Sequence, residues 1–218
     1  MSISYTVIKS AEAPVIDGVL NEECWGKAHT GEFLFNLDGS KADISTKIRA
    51  VYDDTNLYLG FECRDSDAAS TVTGRDSPIS SEEYVAAYLD ADSDSSTYVV
   101  IEVSPTGAFS DAFVLCRNNG ADKKTLSCWN SDLLRVSVSV YGGGARPDTD
   151  DRFWTVELAI PFKDFYTAPH VPPLKGETWR ADFFRVELTK NRSYYSLSPT
   201  KTNSFDKPGQ FARLIFGE

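Results

Sequence analysis

Apolar and polar positions alternate along much of this chain, and the pattern is clearest between residues 150 and 165. Large apolar side chains take every second position there, with smaller or polar ones between them: Trp154, Val156, Leu158 and Ile160 against Thr155, Glu157 and Ala159. A period of two predicts a β-strand with one face in an apolar core and the other towards a wetter environment. Pro161 ends the predicted strand, because proline has no amide hydrogen to continue the ladder.

Strand-like patterns recur along the chain, and turn-forming residues separate most of them. With the strand above, the predicted strands are residues 47–52, 56–63, 84–89, 98–103, 109–116, 133–141, 153–160, 179–188, 194–197 and 211–216. One short helix is predicted over residues 20–28, with Trp25 packed inward. About ten strands with almost no helical period predict an all-β fold. We expect a single antiparallel β-sandwich or jelly-roll-like domain over residues 1–218.

The predicted strand over residues 179–188 has a mixed face. Its members are apolar at one end and charged at the other: Trp179, Ala181, Phe183, Arg185 and Glu187. Such a face predicts either a binding surface or the solvated side of a half-exposed sheet.

The charge of the chain excludes some classes of partner. Its 218 residues include 22 basic and 32 acidic side chains, for a net charge of −10. A chain this acidic is repelled by phosphate backbones, so binding to nucleic acid or to an anionic membrane is not expected. The apolar runs are only as long as strands, so no membrane span is predicted. Residues 1–10 lack the pattern of a signal peptide, which fits an intracellular protein or one whose signal has been removed.

The four cysteines carry no recognisable motif. Cys24, Cys63, Cys116 and Cys128 include no pair spaced as Cys-x-x-Cys, so a zinc ribbon or a thioredoxin-like site is not predicted. Cys63 lies in an alternating strand and is expected to be buried. Cys116 and Cys128 flank a polar loop, where they form either a disulfide or two free thiols.

Seven segments, in order along nearly the whole chain, resemble carbohydrate-binding module family 9 and its wider relatives. They are PVIDGVLNEECW (14–25), VYDDTNLYLGFECRDSD (51–67), EEYVAAYLDAD (82–92), YVVIEVSPTGAFSD (98–111), FWTVELAIPF (153–162), WRADFFRVE (179–187) and YYSLSPTKTNSFDKPGQFARLIF (194–216). The resemblance implies a non-catalytic β-sandwich that binds a sugar or the end of a polysaccharide. It also implies a glycoside hydrolase as partner, on the same or another chain, and an extracellular or periplasmic location.

In that family two aromatic side chains usually sandwich a sugar ring, and carboxylate, arginine and amide groups bind its hydroxyls. Here the first aromatic falls where this chain has Pro78, Ile79 and Ser80, the carboxylate falls at Ala86, and the second aromatic falls at Leu197. Three hypotheses follow from these replacements. The site lies on other aromatic residues, the same cleft binds a different ligand, or the domain is a structural or protein-interaction module without sugar binding.

The candidate aromatic platforms are Trp129, Tyr194 and Tyr195, of which Trp129 and Tyr194 enter the ligand-binding set. Tyr194 and Tyr195 are expected on opposite faces of one strand, so at most one of them reaches a ligand. Each candidate ring has an alternative place in the core or at its rim.

Two charged residues complete the candidate ligand-binding set. Glu102 matches a position that carries a polar sugar contact in relatives, and its alternative role is that of a solvated strand residue. Arg185 either hydrogen-bonds a ligand or pairs with Glu187 or Asp111 inside the fold.

The carboxylates Asp90, Asp92 and Asp94 alternate as at the start of a calcium loop. The sixth position is not glycine and the twelfth is Ile101 rather than glutamate, so this is not an EF-hand. A structural calcium ion and a polar hairpin turn are both consistent with the pattern. The acidic group Asp148, Asp150 and Asp151 has the same two interpretations.

Redox and catalytic functions find little support. The fold resembles the haem- or sugar-binding DOMON domains, whose cytochromes ligate haem with methionine and histidine. This chain offers Met1 at its end, with His29 and His170 in predicted loops. No Gly-x-Ser-x-Gly motif occurs and no carboxylate pair is singled out, so an enzyme is not expected.

Overall fold

The computed structural model describes residues 3–65, 67–68, 70–117, 121–142, 153–188 and 191–218. Within them the chain forms one short helix, α1 (Glu23–Lys27), and fourteen strands. The strands are β1 (Ser4–Lys9), β2 (Thr30–Glu32), β3 (Leu34–Phe35), β4 (Thr46–Tyr52), β5 (Asn56–Arg64), β6 (Tyr84–Asp90), β7 (Thr97–Val103), β8 (Phe109–Arg117), β9 (Asp122–Leu126), β10 (Arg135–Tyr141), β11 (Phe153–Pro161), β12 (Thr178–Glu187), β13 (Ser193–Ser196) and β14 (Ala212–Phe216).

The strands form two layers that β1 joins along one edge. The first sheet has the order β10–β11–β5–β4, with β2 also paired to β4. The second sheet has the order β14–β12–β6–β7–β8–β9, with β13 between β12 and β3. Neighbours within each sheet are antiparallel, whereas β1 pairs in parallel with β14 and β4. The predicted all-β sandwich is therefore confirmed.

Large side chains from both layers fill the space between the sheets. Trp154 and Phe61 of the first sheet and Trp179 and Phe183 of the second are fully buried. The rings of Phe61 and Phe183 meet edge to face, with centroids 6.1 Å apart. Because such rings bury a large apolar area, this layer supplies much of the driving force for folding.

The second face of β11 is buried as well, which contradicts the expectation of a wetter side. Thr155 is 3% exposed and Glu157 is fully buried. The segment before α1 covers them, and Glu157 accepts hydrogen bonds from the amides of Asp17 (3.0 Å) and Gly18 (2.8 Å) and from Trp25 Nε1 (2.8 Å). Burial raises the pKa of Glu157, although these hydrogen bonds oppose the rise. The alternation identified the two faces correctly, but not what covers the second one.

All ten predicted strands are present, and four observed strands were not predicted. The strands β1, β2, β3 and β9 had no prediction, and β9 (DKKTL) is a polar edge strand without apolar alternation. The predicted helix is confined to α1, and Trp25 is 2% exposed, as expected. The acidic group Asp148, Asp150 and Asp151 lies outside the described residues.

The cysteines are free thiols in the structure. Cys63 and Cys116 are buried, whereas Cys128 is exposed, so the disulfide considered between Cys116 and Cys128 is not formed. Among the described residues, no helix is long and apolar enough to cross a bilayer.

Candidate functional site

The second sheet has an outer face, which points away from the first sheet and carries its own apolar layer. Because side chains alternate along a strand, the residues between those of the main core emerge on this side. They include Tyr88, Tyr98, Val100 and Phe184. Two loop segments cover part of the layer, one through Ile79 and the other through Phe205 and Phe211.

Beside these covering segments the outer face keeps an open groove of about 270 Å³. We call it the outer groove. Its floor is apolar and contains Tyr88, Val100, Ala112 and Val114. Its rim is polar and contains Asp76, Ser77, Glu102, Ser110, Lys123, Thr125, Ser127 and Asp206. An apolar floor with a polar rim is the usual composition of a small-ligand site.

Strand register brings the polar groups of the groove together. Glu102 of β7 lies directly opposite Ser110 of β8, and Ser110 Oγ donates a hydrogen bond of 3.2 Å to Glu102 Oε2. Burial raises the pKa of Glu102, and the nearby Asp206 adds to the rise. The hydrogen bond from Ser110 and the charge of Lys123 oppose it. Glu102 is thus a partly buried carboxyl at the mouth of the groove.

Asp206 is fixed by two donors from the sheet below it. Lys123 Nζ lies 2.7 Å from Asp206 Oδ2, and Tyr98 OH donates a bond of 2.6 Å to Oδ1. The Tyr98 ring in turn stacks on Tyr88, with centroids 5.6 Å apart and planes 19° apart. The loop residue Asp206 is therefore held over the floor by groups on two different strands.

The positions of the replaced aromatic clamp supply no exposed ring. Ile79 is 1% exposed in a segment that covers the outer face, Ala86 is 1% exposed on β6, and Leu197 is 5% exposed in the core between the sheets. Phe205 stacks on Phe184 with centroids 4.1 Å apart, so the chain's own rings cover this part of the face.

The structure brings two of the four predicted ligand-binding residues to the outer face. Glu102 lines the outer groove, and Tyr194 lies on the same side, with its ring edge-on to Phe205 at 5.7 Å. Trp129 is half-buried and packs against the core between the sheets. Tyr195 is 2% exposed in that core, which confirms that Tyr194 and Tyr195 point to opposite faces.

Arg185, the fourth candidate, is fully buried between the sheets in what we call the ionic cluster. The cluster consists of Arg185, Asp65, Glu83 and Glu187. Arg185 Nη2 lies 3.0 Å from Asp65 Oδ2 and 2.9 Å from Glu83 Oε1, and it also donates to Glu187. Arg185 Nη1 donates to the carbonyl oxygen of Arg64 at 2.7 Å. The charged end of the β12 face is therefore buried rather than solvated or open to a ligand.

Of the two internal pairings considered for Arg185, the one with Glu187 is observed. Asp111 pairs instead with Arg75, whose Nη2 lies 2.8 Å from Asp111 Oδ2. Within the ionic cluster, burial first and a hydrogen bond with Asp65 second raise the pKa of Glu83 to about 9. Glu83 therefore holds its proton at neutral pH.

Most polar residues of the groove were missed from the sequence. Ser110, Lys123 and Asp206 belong to β8, β9 and the loop before β14. Each looks like an ordinary surface residue in its own segment, because the groove exists only where these segments meet. The resemblance to family 9, which singled out Glu102, was the one usable signal.

The candidate calcium loop brings its three carboxylates together. One oxygen of each of Asp90, Asp92 and Asp94 lies within 4.8 Å of the others. Asp90 is fully buried; its Oδ2 accepts the Ser95 amide at 2.9 Å, while its Oδ1 has no hydrogen-bond partner among the described residues. Burial first, and then Asp92, raise the pKa of Asp90 to about 8. Hard oxygen ligands with one unsatisfied buried oxygen fit a calcium ion.

Comparison with known proteins adds the family. The family model described as carbohydrate family 9 binding domain-like matches residues 16–211. Among curated proteins no sequence matches. A solved structure of a putative carbohydrate-binding protein from Bacteroides uniformis is similar, with a TM-score of 0.76 and 15% identity over 99% of this chain and 100% of that one.

Two further similar structures are of a family 9 carbohydrate-binding module from Caldicellulosiruptor kristjanssonii. The complex with cellotriose has a TM-score of 0.64 and 17% identity, over 98% of this chain and 93% of that one. The complex with glucose has a TM-score of 0.61 and 17% identity, over 98% and 96% of the two chains. At these identities the structural likeness concerns the fold.

Proposed function

The chain belongs to the carbohydrate family 9 binding domain-like family, and we propose from this premise that its outer groove is a sugar-binding site. The domain binds carbohydrate and does not cleave it. The observation that carries the proposal is Glu102, a partly buried carboxylate beside an apolar floor in an open groove. The comparisons give no support to an interaction module without sugar binding, or to a haem domain.

The chemistry of the groove matches the two sides of a sugar ring. The apolar face of a pyranose packs on aliphatic groups such as Val100 and Ala112 of the floor, while its hydroxyls need charged or polar partners. Glu102 and Asp206 accept hydrogen bonds, and Ser127 offers a hydroxyl that donates or accepts. The groove is open and its rim is solvated, so we expect a modest affinity with bridging waters.

Titration calorimetry with glucose and cellotriose tests the site, because the structurally similar family 9 module is complexed with these sugars. Glu102→Gln keeps the size of the side chain and removes its charge. A hydrogen bond to a charged group contributes roughly 1.5–3 kcal/mol, so we expect affinity to fall at least about tenfold. Glu32→Gln, an exposed carboxylate on β2, is the matched control and should bind normally.

The same titrations decide between the groove and the other predicted residues. Tyr194→Ala should weaken binding less than Glu102→Gln, because Tyr194 lies beside the groove and does not line it. Normal binding by Glu102→Gln together with loss of binding in Trp129→Ala would contradict the groove. That result would place the sugar at the edge of the core, where Trp129 lies.

We also propose an extracellular or periplasmic location and a glycoside hydrolase as working partner. Polysaccharides are degraded outside the cytoplasm, and a binding domain increases the local concentration of an attached enzyme at its polymer. Cell fractionation with an antibody against the domain tests the location. Recovery only in the cytoplasm would contradict it.

A structural calcium ion bound by Asp90, Asp92 and Asp94 is a second proposal. It rests on the buried, unsatisfied Oδ1 of Asp90. A ligand that binds only the folded state raises the melting temperature, so added calcium should stabilise the protein and a chelator should destabilise it. Asp90→Asn should abolish this response, and Asp54→Asn in an exposed turn should keep it. A melting temperature that changes with neither calcium nor chelator would contradict the site.

A further inference from the structure

The outer groove has an unequal balance of charges. It presents three carboxylates, those of Asp76, Glu102 and Asp206, and one cation, Lys123. Asp111 borders the groove with its backbone, but its side chain is fully buried on the other face of β8, where it pairs with Arg75. One cation therefore faces three carboxylates.

The one cation is already engaged by one of these carboxylates. Lys123 forms its ion pair with Asp206 at 2.7 Å, and Tyr98 donates a further bond to the same carboxylate. Lys123 therefore cannot bind an anionic ligand without breaking an existing pair.

The two remaining carboxylates have no ion pair in the part of the chain that the structure describes. Asp76 is exposed at the rim. Glu102 is partly buried, and the one side-chain hydrogen bond it makes is the 3.2 Å bond from the neutral Ser110 hydroxyl to Oε2. Oε1 of Glu102 remains able to accept from a ligand in the groove.

We infer that the outer groove selects a sugar that carries a protonated amino group, such as β-1,4-linked glucosamine, over a neutral or anionic sugar. This inference rests on the proposed function of the groove as the sugar site. A protonated amine forms a charge-assisted hydrogen bond with Glu102, and such bonds are roughly twice as strong as neutral ones. The ammonium also favours the ionised form of Glu102 and so offsets its burial.

The same charges discriminate against two related classes of sugar. A uronate or a sulfated sugar meets two unpaired carboxylates, and like charges placed together are unfavourable. An N-acetylated amino sugar has an uncharged amide and loses the ionic contribution. The chain as a whole, with a net charge of −10, adds a long-range attraction for cationic oligosaccharides.

Calorimetry with matched disaccharides tests the inference. The disaccharide of β-1,4-linked glucosamine, cellobiose and the N-acetylated form share a linkage and differ at C2. At about pH 6.5, where the amines are largely protonated, we expect the glucosamine disaccharide to bind about tenfold more tightly than cellobiose. Higher salt should reduce this ratio, because screening weakens the ionic contribution. A glucuronic acid disaccharide should bind more weakly than cellobiose.

Glu102→Gln separates the inference from the proposed function. In this variant the ratio between the glucosamine disaccharide and cellobiose should fall to near one. If the wild type binds cellobiose as tightly as the glucosamine disaccharide, the inference fails while the sugar site stands. If the Glu32→Gln control, altered on an exposed position outside the groove, loses the preference as well, Glu102 is not its source and the inference also fails. Absence of binding to every disaccharide overturns both the inference and the proposed function.

Discussion

Two groups of carboxylates lie on opposite sides of the second sheet, and they differ in their access to water. Between the two sheets, Asp65 after β5, Glu83 before β6 and Glu187 at the end of β12 surround Arg185 and are buried. On the outer face, Glu102 and its neighbours line a groove that stays open. The residue types are similar, and the difference lies in what covers them.

The segments that cover each group of carboxylates determine its protonation and its access to a ligand. In the ionic cluster the carboxylates share one guanidinium, and Glu83 keeps a proton because burial penalises its charged form. In the outer groove solvent reaches the rim, so an unpaired carboxylate is tolerated and remains available to a ligand. A charged group that is buried and paired maintains the structure, and one that is unpaired and accessible to solvent can bind a ligand.

The largest expected effect is that of removing the cation from the ionic cluster. Arg185→Met leaves three buried carboxylates without their partner, and breaking a buried ion pair costs about 3–5 kcal/mol of the free energy of unfolding. Chemical denaturation measures this change. Arg213→Met, on an exposed position of β14, is the matched control and should change stability by less than about 0.5 kcal/mol. An equal, small change in both variants would mean that the cluster is not structural.

A smaller effect concerns the proton on Glu83. Its pKa is raised from 4.5 to about 9 in the folded state, so the folded protein binds a proton that the unfolded chain releases between these values. Stability should therefore fall as pH rises from about 5 to about 9, by at most roughly 1.4 kcal/mol per pH unit for this one group. Glu83→Gln, which is neutral at every pH, should show a shallower fall. Equal slopes in the wild type and the variant would contradict a protonated Glu83.

The smallest effect is expected in the outer groove. The side chain of Lys123 is 39% exposed, and exposed ion pairs contribute roughly 0–1 kcal/mol, so Lys123→Met should scarcely change stability. It frees Asp206 and should therefore increase the preference for an amino sugar. A large loss of stability would show that the groove, like the ionic cluster, serves the fold.

The sequence predicted which face of a strand a residue lies on better than it predicted what covers that face. The inward positions of β11 and the split of Tyr194 and Tyr195 between two faces follow from a local geometric period, and both are observed. Burial of Glu157 could not be predicted, because its cover comes from residues far away in the chain. The edge strand β9 gave no signal, because its polar residues have no core to face.

The sequence by itself determined the all-β fold, most of its strands and the family, and it named Glu102 as a candidate ligand-binding residue. Only the tertiary structure decided that Arg185 is sealed and Glu102 is open, and that Lys123 and Asp206 neutralise each other beside Glu102. The physical reason is that alternation is set by neighbouring residues. Burial and charge balance are instead set by segments that meet only after the chain has folded.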